Sequence, residues 1–332
     1  MSKSRVMIRS VANREIQDAV EEAMNLAGWA DVVSPGARVV VKPNLCTPSK
    51  EIIDVANTSP EVLAALCAVL KTRTQNVVIA ESDGVRYSAE EAFEMNGTYE
   101  LGKRFGFEVM SLTQDELVEV DHPHMKGWPM PKTLFECDAF ITAAKIKTHA
   151  TTAYTGALKN QWGCVPQHDR IVLHKYLHTL IGEVNQMIEP SFALIDGLLG
   201  MEGRGPINGR TVRLNVIAAG KDLVAVDAAC MRFVGLDPMT AKHIVHAAAI
   251  GLGRIAEDEI EVDADCEAVQ PFLPAEADWP IRAMNLLTKS EFLTRQLLLK
   301  DHFFYPARWL ANACRRAKAR IMGGKAQDRR IA

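Results

Sequence analysis

The chain has 332 residues, of which 48% are hydrophobic and 24% charged, with a formal net charge of −3. This composition excludes a mainly disordered chain, allows one large or two average domains, and includes no apolar run of the roughly 18 residues a membrane helix needs. Seven cysteines without a CxxC pair argue against a local zinc or iron–sulfur motif.

The opening residues lack a secretory apolar stretch, so a cytoplasmic location is expected. Residues 13–27 carry Ile16, Val20, Ala23 and Met24 at helical spacing, and Pro35-Gly36 turns the chain into a β-branched run at 38–42. Pro43 cannot extend a central ladder, so Lys42 and Asn44 fall at that strand's end as ligand contacts. Ser59-Pro60 starts a helix with a capping residue and a first-turn proline, and residues 76–80 form the next strand. This β-α-β order predicts a parallel pair that brings Lys42 beside Glu81 and Asp83.

Residues 89–105 read as one or two helices and 107–111 as a short strand. The proline-rich stretch 118–133 reads as a loop whose His122 and His124 are surface residues rather than a metal pair. An apolar strand over 139–144 then meets the densest chemistry in the chain, KIKTHATTAYTGALKNQWGCVP at 145–166. Ligands of open α/β sheets bind beyond the carboxyl ends of the strands, which makes Lys145, Lys147, Thr148 and Asn160 candidates for substrate contact and Lys159 a candidate catalytic residue. His149 and His174 suit proton transfer, because an imidazole titrates near operating pH.

A helix is expected over 171–188 and a strand over 191–195 that stops at Asp196. The glycine-rich run 200–206 then reads as a loop, with Gly203 and Gly205 offering backbone amides to an anion. Residues 213–218 read as a strand, 222–233 and 238–250 as helices, and 259–262 as an edge strand. Asp83, Asp196, Glu202 and Asp227 are candidate ligands for a divalent ion such as Mg²⁺, and buried Asp227 needs a cation, a metal or backbone donors.

Residues 281–332 hold 12 Lys+Arg against 3 Asp+Glu, with apolar residues at helical spacing. This predicts an α/β body over 1–280, in one or two lobes with a mostly parallel sheet flanked by helices, and a basic amphipathic helical extension over 281–332. The body is expected to bind a small anionic molecule through its lysines. The extension reads either as a helix hairpin packed on the body or a second copy of the chain, or as a peripheral membrane contact. Nucleic acid is disfavoured, since RNA-reading aromatic motifs are missing.

VVVKPNL, SPEV, KIKTH, TGALKNQWGCVP, His174, IDG, MEGRGP and DLVAVDA follow one another in an order that resembles the proteins grouped as domain of unknown function 362, over about residues 38–253. The resemblance implies an α/β body and a small-molecule enzyme of a family without a settled reaction. Many relatives carry a ferredoxin-type cluster segment, for which this chain lacks the cysteine spacing. Residues 154–159 followed by His174 are also similar in layout to the nickel-pincer lactate racemases. That likeness implies a racemase or epimerase whose cofactor is anchored by Lys159 and whose nickel is held by His174, although the rest of that family's pattern is not evident.

Overall fold

The computed structural model describes residues 3–268, 271–307, 309, 310 and 313. Its strands are β1 (Ser4–Ser10), β2 (Val39–Pro43), β3 (Val77–Glu81), β4 (Glu108–Ser111), β5 (Leu117–Val118), β6 (Met130–Pro131), β7 (Ala139–His149), β8 (Ala153–Tyr154), β9 (Phe192–Glu202), β10 (Arg210–Gly220) and β11 (Ile260–Ala264). The main sheet runs β11-β1-β10-β9-β7-β2-β3-β4, with β8 paired to the far end of β7 and β5-β6 as a separate ribbon. Only β10 runs against its neighbours in that order, so the sheet is mostly parallel.

The helices are α1 (Ile16–Ala27), α2 (Ile53–Ala56), α3 (Pro60–Lys71), α4 (Ala89–Met95), α5 (Thr98–Phe105), α6 (Gly156–Asn160), α7 (Leu177–Ile188), α8 (Leu223–Phe233), α9 (Lys242–Ala249), α10 (Trp279–Leu287) and α11 (Glu291–Leu293). They cover both faces of the sheet. Side chains alternate along a strand, so Phe140, Ala144 and Ile146 of β7 join a core with α7, α8 and α9, while Ala139, Ile141 and Ala143 join a second core with α1 and α3. Burial on two faces explains the near-continuous apolar text of β2, β3 and β7. The fold is α/β, a mostly parallel sheet flanked by helices.

The sequence reading departs from this fold in several places. β1 was not anticipated, although Val6, Met7 and Ile8 are buried between β10 and β11. The strand expected to stop at Ala144 continues to His149, and the one expected to stop at Asp196 continues to Glu202. Glycine-rich sequence pairs here because the neighbours leave no room for side chains: a Cβ on Gly200 would lie 2.8 Å from the Phe272 ring. The helix expected over 171–188 opens with a 3₁₀ stretch at Arg170–Tyr176 before α7 begins.

Beyond α11 come a π-helical turn at Thr294–Leu298 and a helical stretch over 301–307. This extension meets the body through polar contacts. Arg295 pairs with Asp169 at 2.8 Å, Thr151 Oγ1 lies 3.0 Å from Asn285 Oδ1, and Arg86 pairs with Asp301. Thr288 and Thr294 are buried, whereas Leu286, Phe292, Phe303 and Trp309 are exposed. Residues 314–332, which hold seven of the twelve Lys and Arg expected to make the extension basic, lie outside the described residues.

Candidate functional site

Strands β9, β7, β2 and β3 are consecutive and parallel, so their carboxyl ends form one edge. Lys42, near the end of β2, donates from Nζ to Glu81 Oε2 of β3 at 2.6 Å. Asn160, at the end of α6, donates from Nδ2 to the Lys42 carbonyl at 3.1 Å and to Thr142 Oγ1 at 2.9 Å, and its Oδ1 accepts from Asn44 Nδ2 at 3.2 Å. Lys147 Nζ donates to Asn44 Oδ1 at 2.8 Å, to the Ala56 carbonyl at 2.6 Å and to Cys46 Sγ at 3.1 Å. Lys42, Asn44, Lys147 and Asn160 therefore share one buried network. Burial pulls the Lys147 ammonium below its ordinary range, and Lys145 and Lys42 add to the pull against Cys46.

Lys145 lies two residues before Lys147, yet it is locked elsewhere. Its Nζ meets Asp196 Oδ2 at 2.8 Å, and that carboxylate also accepts from the amides of Ser59 at 2.7 Å and Leu198 at 2.9 Å. This pair ties β7 and β9 to the start of α3.

Helix α6, which carries Lys159, is fixed at both ends. Asp227 of α8 accepts from the amides of Ala157 at 2.6 Å and Leu158 at 2.9 Å, and Asn185 of α7 donates to the Leu158 carbonyl at 2.9 Å. Gly156 enters the helix at φ 59°, where a Cβ would lie 2.1 Å from Asp227 Oδ1, so glycine is required there. Burial pushes the Asp227 carboxyl up to about 7 against the pull of its two amide donors.

Lys159 itself is half-buried and, among the described residues, has no hydrogen-bond or ion-pair partner. Burial pulls its ammonium down to about 7, and Lys147, Arg170 and Lys42 lower it further against the opposing influence of Cys46. His149 accepts at Nδ1 from the amides of Thr151 at 3.1 Å and Thr152 at 3.4 Å, an arrangement that assigns its proton to Nε2. Burial, with Lys159, Lys147, His174 and His243 nearby, holds that imidazole well below its usual range and neutral. His174 and His243 are lowered to about 3, first by burial and then by Lys159. Among the described residues, His174 Nδ1 and both ring nitrogens of His243 are buried without a hydrogen-bond partner.

Charge in this region is unbalanced. Glu81 offsets Lys42 and Asp196 offsets Lys145, but among the described residues no carboxylate pairs with Lys147, Lys159 or Arg170. Arg170 instead donates to the carbonyls of Asp83 at 2.7 Å and Val165 at 2.9 Å. Arg170 and His243 were missed as site residues from sequence. Arg170 stands in a polar run just after the dense segment, which is a usable signal, whereas nothing in the text of α9 distinguishes His243.

The four acids expected as metal ligands do not gather. Asp83 accepts from the Ala89 amide at 2.9 Å ahead of α4, Glu202 holds Arg210 at 2.6 Å and the Leu273 amide at 2.6 Å, and Asp196 and Asp227 are engaged as above. Among the described residues no three His, Cys, Asp or Glu side chains form a group able to hold a metal ion, His174 included. Of the expected anion cradle, the Gly203 amide is committed to the Leu273 carbonyl at 3.1 Å, and the Gly205 carbonyl accepts from the Ala150 amide at 3.0 Å. Thr148 Oγ1 completes this latch with the carbonyls of Gly203 at 3.0 Å and Met201 at 3.3 Å. His122 and His124 pack on other elements rather than standing free, His122 3.2 Å from Glu183 and His124 stacked 4.0 Å from the Tyr176 ring.

Two surface depressions, of about 410 and 230 Å³, lie at the amino-terminal edge of the strands, lined by residues such as Arg73 and Asn76 or Asp138 and Ser191. Neither includes any of the lysines or histidines above.

A thylakoid-associated protein of Synechocystis sp. (strain ATCC 27184 / PCC 6803 / Kazusa), sll1697, is 27% identical over 243 residues, which take in 70% of this chain and 74% of the relative. The lactate racemase apoprotein from Thermoanaerobacterium thermosaccharolyticum is a similar solved structure at 12% identity and TM-score 0.48, covering 69% of this chain and 57% of that one. The profile named Domain of unknown function (DUF362) matches residues 39–232, more than half of the sequence, and the chain belongs to that family.

Proposed function

We propose that the chain is an enzyme acting on a small anionic molecule, a carboxylate or phosphate, at the carboxyl ends of β2, β3, β7 and β9. In this reading Lys159 is the reactive group, His149 and His174 handle protons, and Lys147 and Arg170 supply the positive field. The observation that carries the reading is the trio of cations without a carboxylate partner beside two lysines that have one. Cations gathered where water is partly excluded attract anions and depress one another's proton affinity. Equilibrium binding of inorganic phosphate, acetate and larger organic acids tests the reading, comparing the wild type with Lys159→Ala. A panel in which no anion binds the wild type more tightly than the variant would count against it.

A second reading concerns where the enzyme works. We infer peripheral attachment of a cytoplasmic body to a membrane through the extension after residue 280. Supporting it are the exposed Leu286, Phe292 and Trp309, the surplus of Lys and Arg over residues 281–332, and the thylakoid association of the relative from Synechocystis. No helix among the described residues is long and apolar enough to cross a membrane. Flotation with anionic vesicles, with and without residues 281–332, tests this attachment.

A further inference from the structure

Three of the four lysines of β2 and the dense segment at 145–166 are spoken for. Lys42 is bonded to Glu81, Lys145 to Asp196, and Lys147 to Asn44, Cys46 and the Ala56 carbonyl. Among the described residues Lys159 alone of these is left without a partner, on a helix held by Asp227 at the amides of Ala157 and Leu158 and by Asn185 at the Leu158 carbonyl. An amine held rigidly, unpaired and short of carboxylates is placed to act through its lone pair rather than its charge.

The charges that act on it from neighbouring elements favour the same state. Lys42 comes from β2, Lys147 and His149 from β7, Arg170 and His174 from the 3₁₀ stretch and His243 from α9. All are cations or neutral imidazoles. Cys46 is the acid that opposes them, and its thiol already lies 3.1 Å from Lys147 Nζ.

We propose that Lys159 forms a Schiff base, and that the substrate class of this site is a small 2-oxo carboxylate. This rests on the anion-site reading above and narrows it. The ketone carbon accepts the amine, while the adjacent carboxylate supplies the negative charge that Lys147 and Arg170 lack from the protein. Lys159 Nζ gives its lone pair to the carbonyl carbon as the carbonyl π pair moves to oxygen. That oxygen takes one proton from the new ammonium and a second from solvent, then leaves as water. The product is a protonated imine, formed with one water released, one proton consumed and no net oxidation. His149, with its proton assigned to Nε2, is the neutral hydrogen-bond donor this step assigns to the carbonyl oxygen.

The test is reductive trapping on the full chain. Glyoxylate, pyruvate and 2-oxoglutarate are each incubated with the protein and sodium borohydride, and adducts are mapped by peptide mass spectrometry. The expected result is an adduct on Lys159 at least tenfold above the other lysines, lost in Lys159→Arg, with a trapping rate that rises with pH through a midpoint near 7. Adducts spread evenly over lysines, or unchanged in total in the variant, overturn the proposal. Acetate and phosphate binding is measured in parallel. If these anions bind and nothing is trapped, the Schiff base falls and the anion site stands; if neither occurs, both fall. Unfolding midpoints for the wild type and Lys159→Arg keep a folding defect from being mistaken for lost chemistry.

Discussion

Lys145 and Asp196, 51 residues apart in the chain, meet at 2.8 Å with neither side chain exposed to solvent. Removing one member of such a buried pair strands the other's charge, which costs about 3–5 kcal/mol. Lys145→Met is therefore expected to destabilise the protein by that amount in urea unfolding. Adding Asp196→Asn keeps a carbonyl acceptor for the amides at the start of α3 and removes the stranded charge. The double variant should recover part of the loss, and a double variant less stable than Lys145→Met would contradict this account.

Lys159 and Asn160 are adjacent, but their replacements should separate chemistry from folding. Asn160 makes three buried hydrogen bonds at 3.2 Å or less across β2, β7 and the loop after β2. Asn160→Ala leaves those groups unsatisfied and should cost roughly 1–3 kcal/mol or more. Lys159→Met removes an unpaired, partly desolvated amine, so its unfolding midpoint should equal or exceed that of the wild type. Anion affinity in that variant should fall about tenfold or more. A large loss of stability in Lys159→Met would show that the lysine serves the fold.

His243 gives a pH dependence with a definite sign. Its folded imidazole is lowered to about 3 from an ordinary value near 6.5, so between those values the unfolded chain binds the proton first. Stability then rises with pH across that window, by about 1.4 kcal/mol per pH unit for one histidine. Asp227 acts in the opposite sense between its ordinary value of 3.8 and about 7, which is why the comparison should be made between variant and wild type at each pH. His243→Phe keeps an aromatic ring and removes two unpartnered buried nitrogens. Denaturant unfolding should find it at least as stable at pH 7, and its advantage over the wild type should widen toward pH 5.

The extension after residue 280 presents its apolar side chains outward, with Leu286 65% and Phe292 70% exposed. Full-length protein should float with vesicles containing anionic lipid, and less so as salt is raised. Leu286→Ser/Phe292→Ser/Trp309→Ser should release at least most of it without changing the unfolding midpoint. Equal flotation of the triple variant would assign the attachment to charge alone or to another surface.

The sequence by itself determined the local scaffold. β-branched runs ending in Lys42-Pro43-Asn44, the Ser59-Pro60 helix start and the 3.6-residue stripes of α1, α3 and α7 are encoded within a few neighbouring residues, as was the parallel pairing of β2 with β3. Those features sufficed to bring Lys42 of β2 beside Glu81 of β3. Tertiary structure decided which polar groups remain available. Asp196 went to Lys145, Asp227 to the amides of α6, Glu202 to Arg210 and the glycine loop to Thr148, each across a separation that only sheet register and helix docking set. A side chain's chemistry depends on what it meets after folding, and a pattern in the text carries residue type and period but not the partner. Hence the segment was legible as a dense run of polar and basic residues behind a buried strand, while the lack of a partner for Lys159 among the described residues emerged from packing between elements.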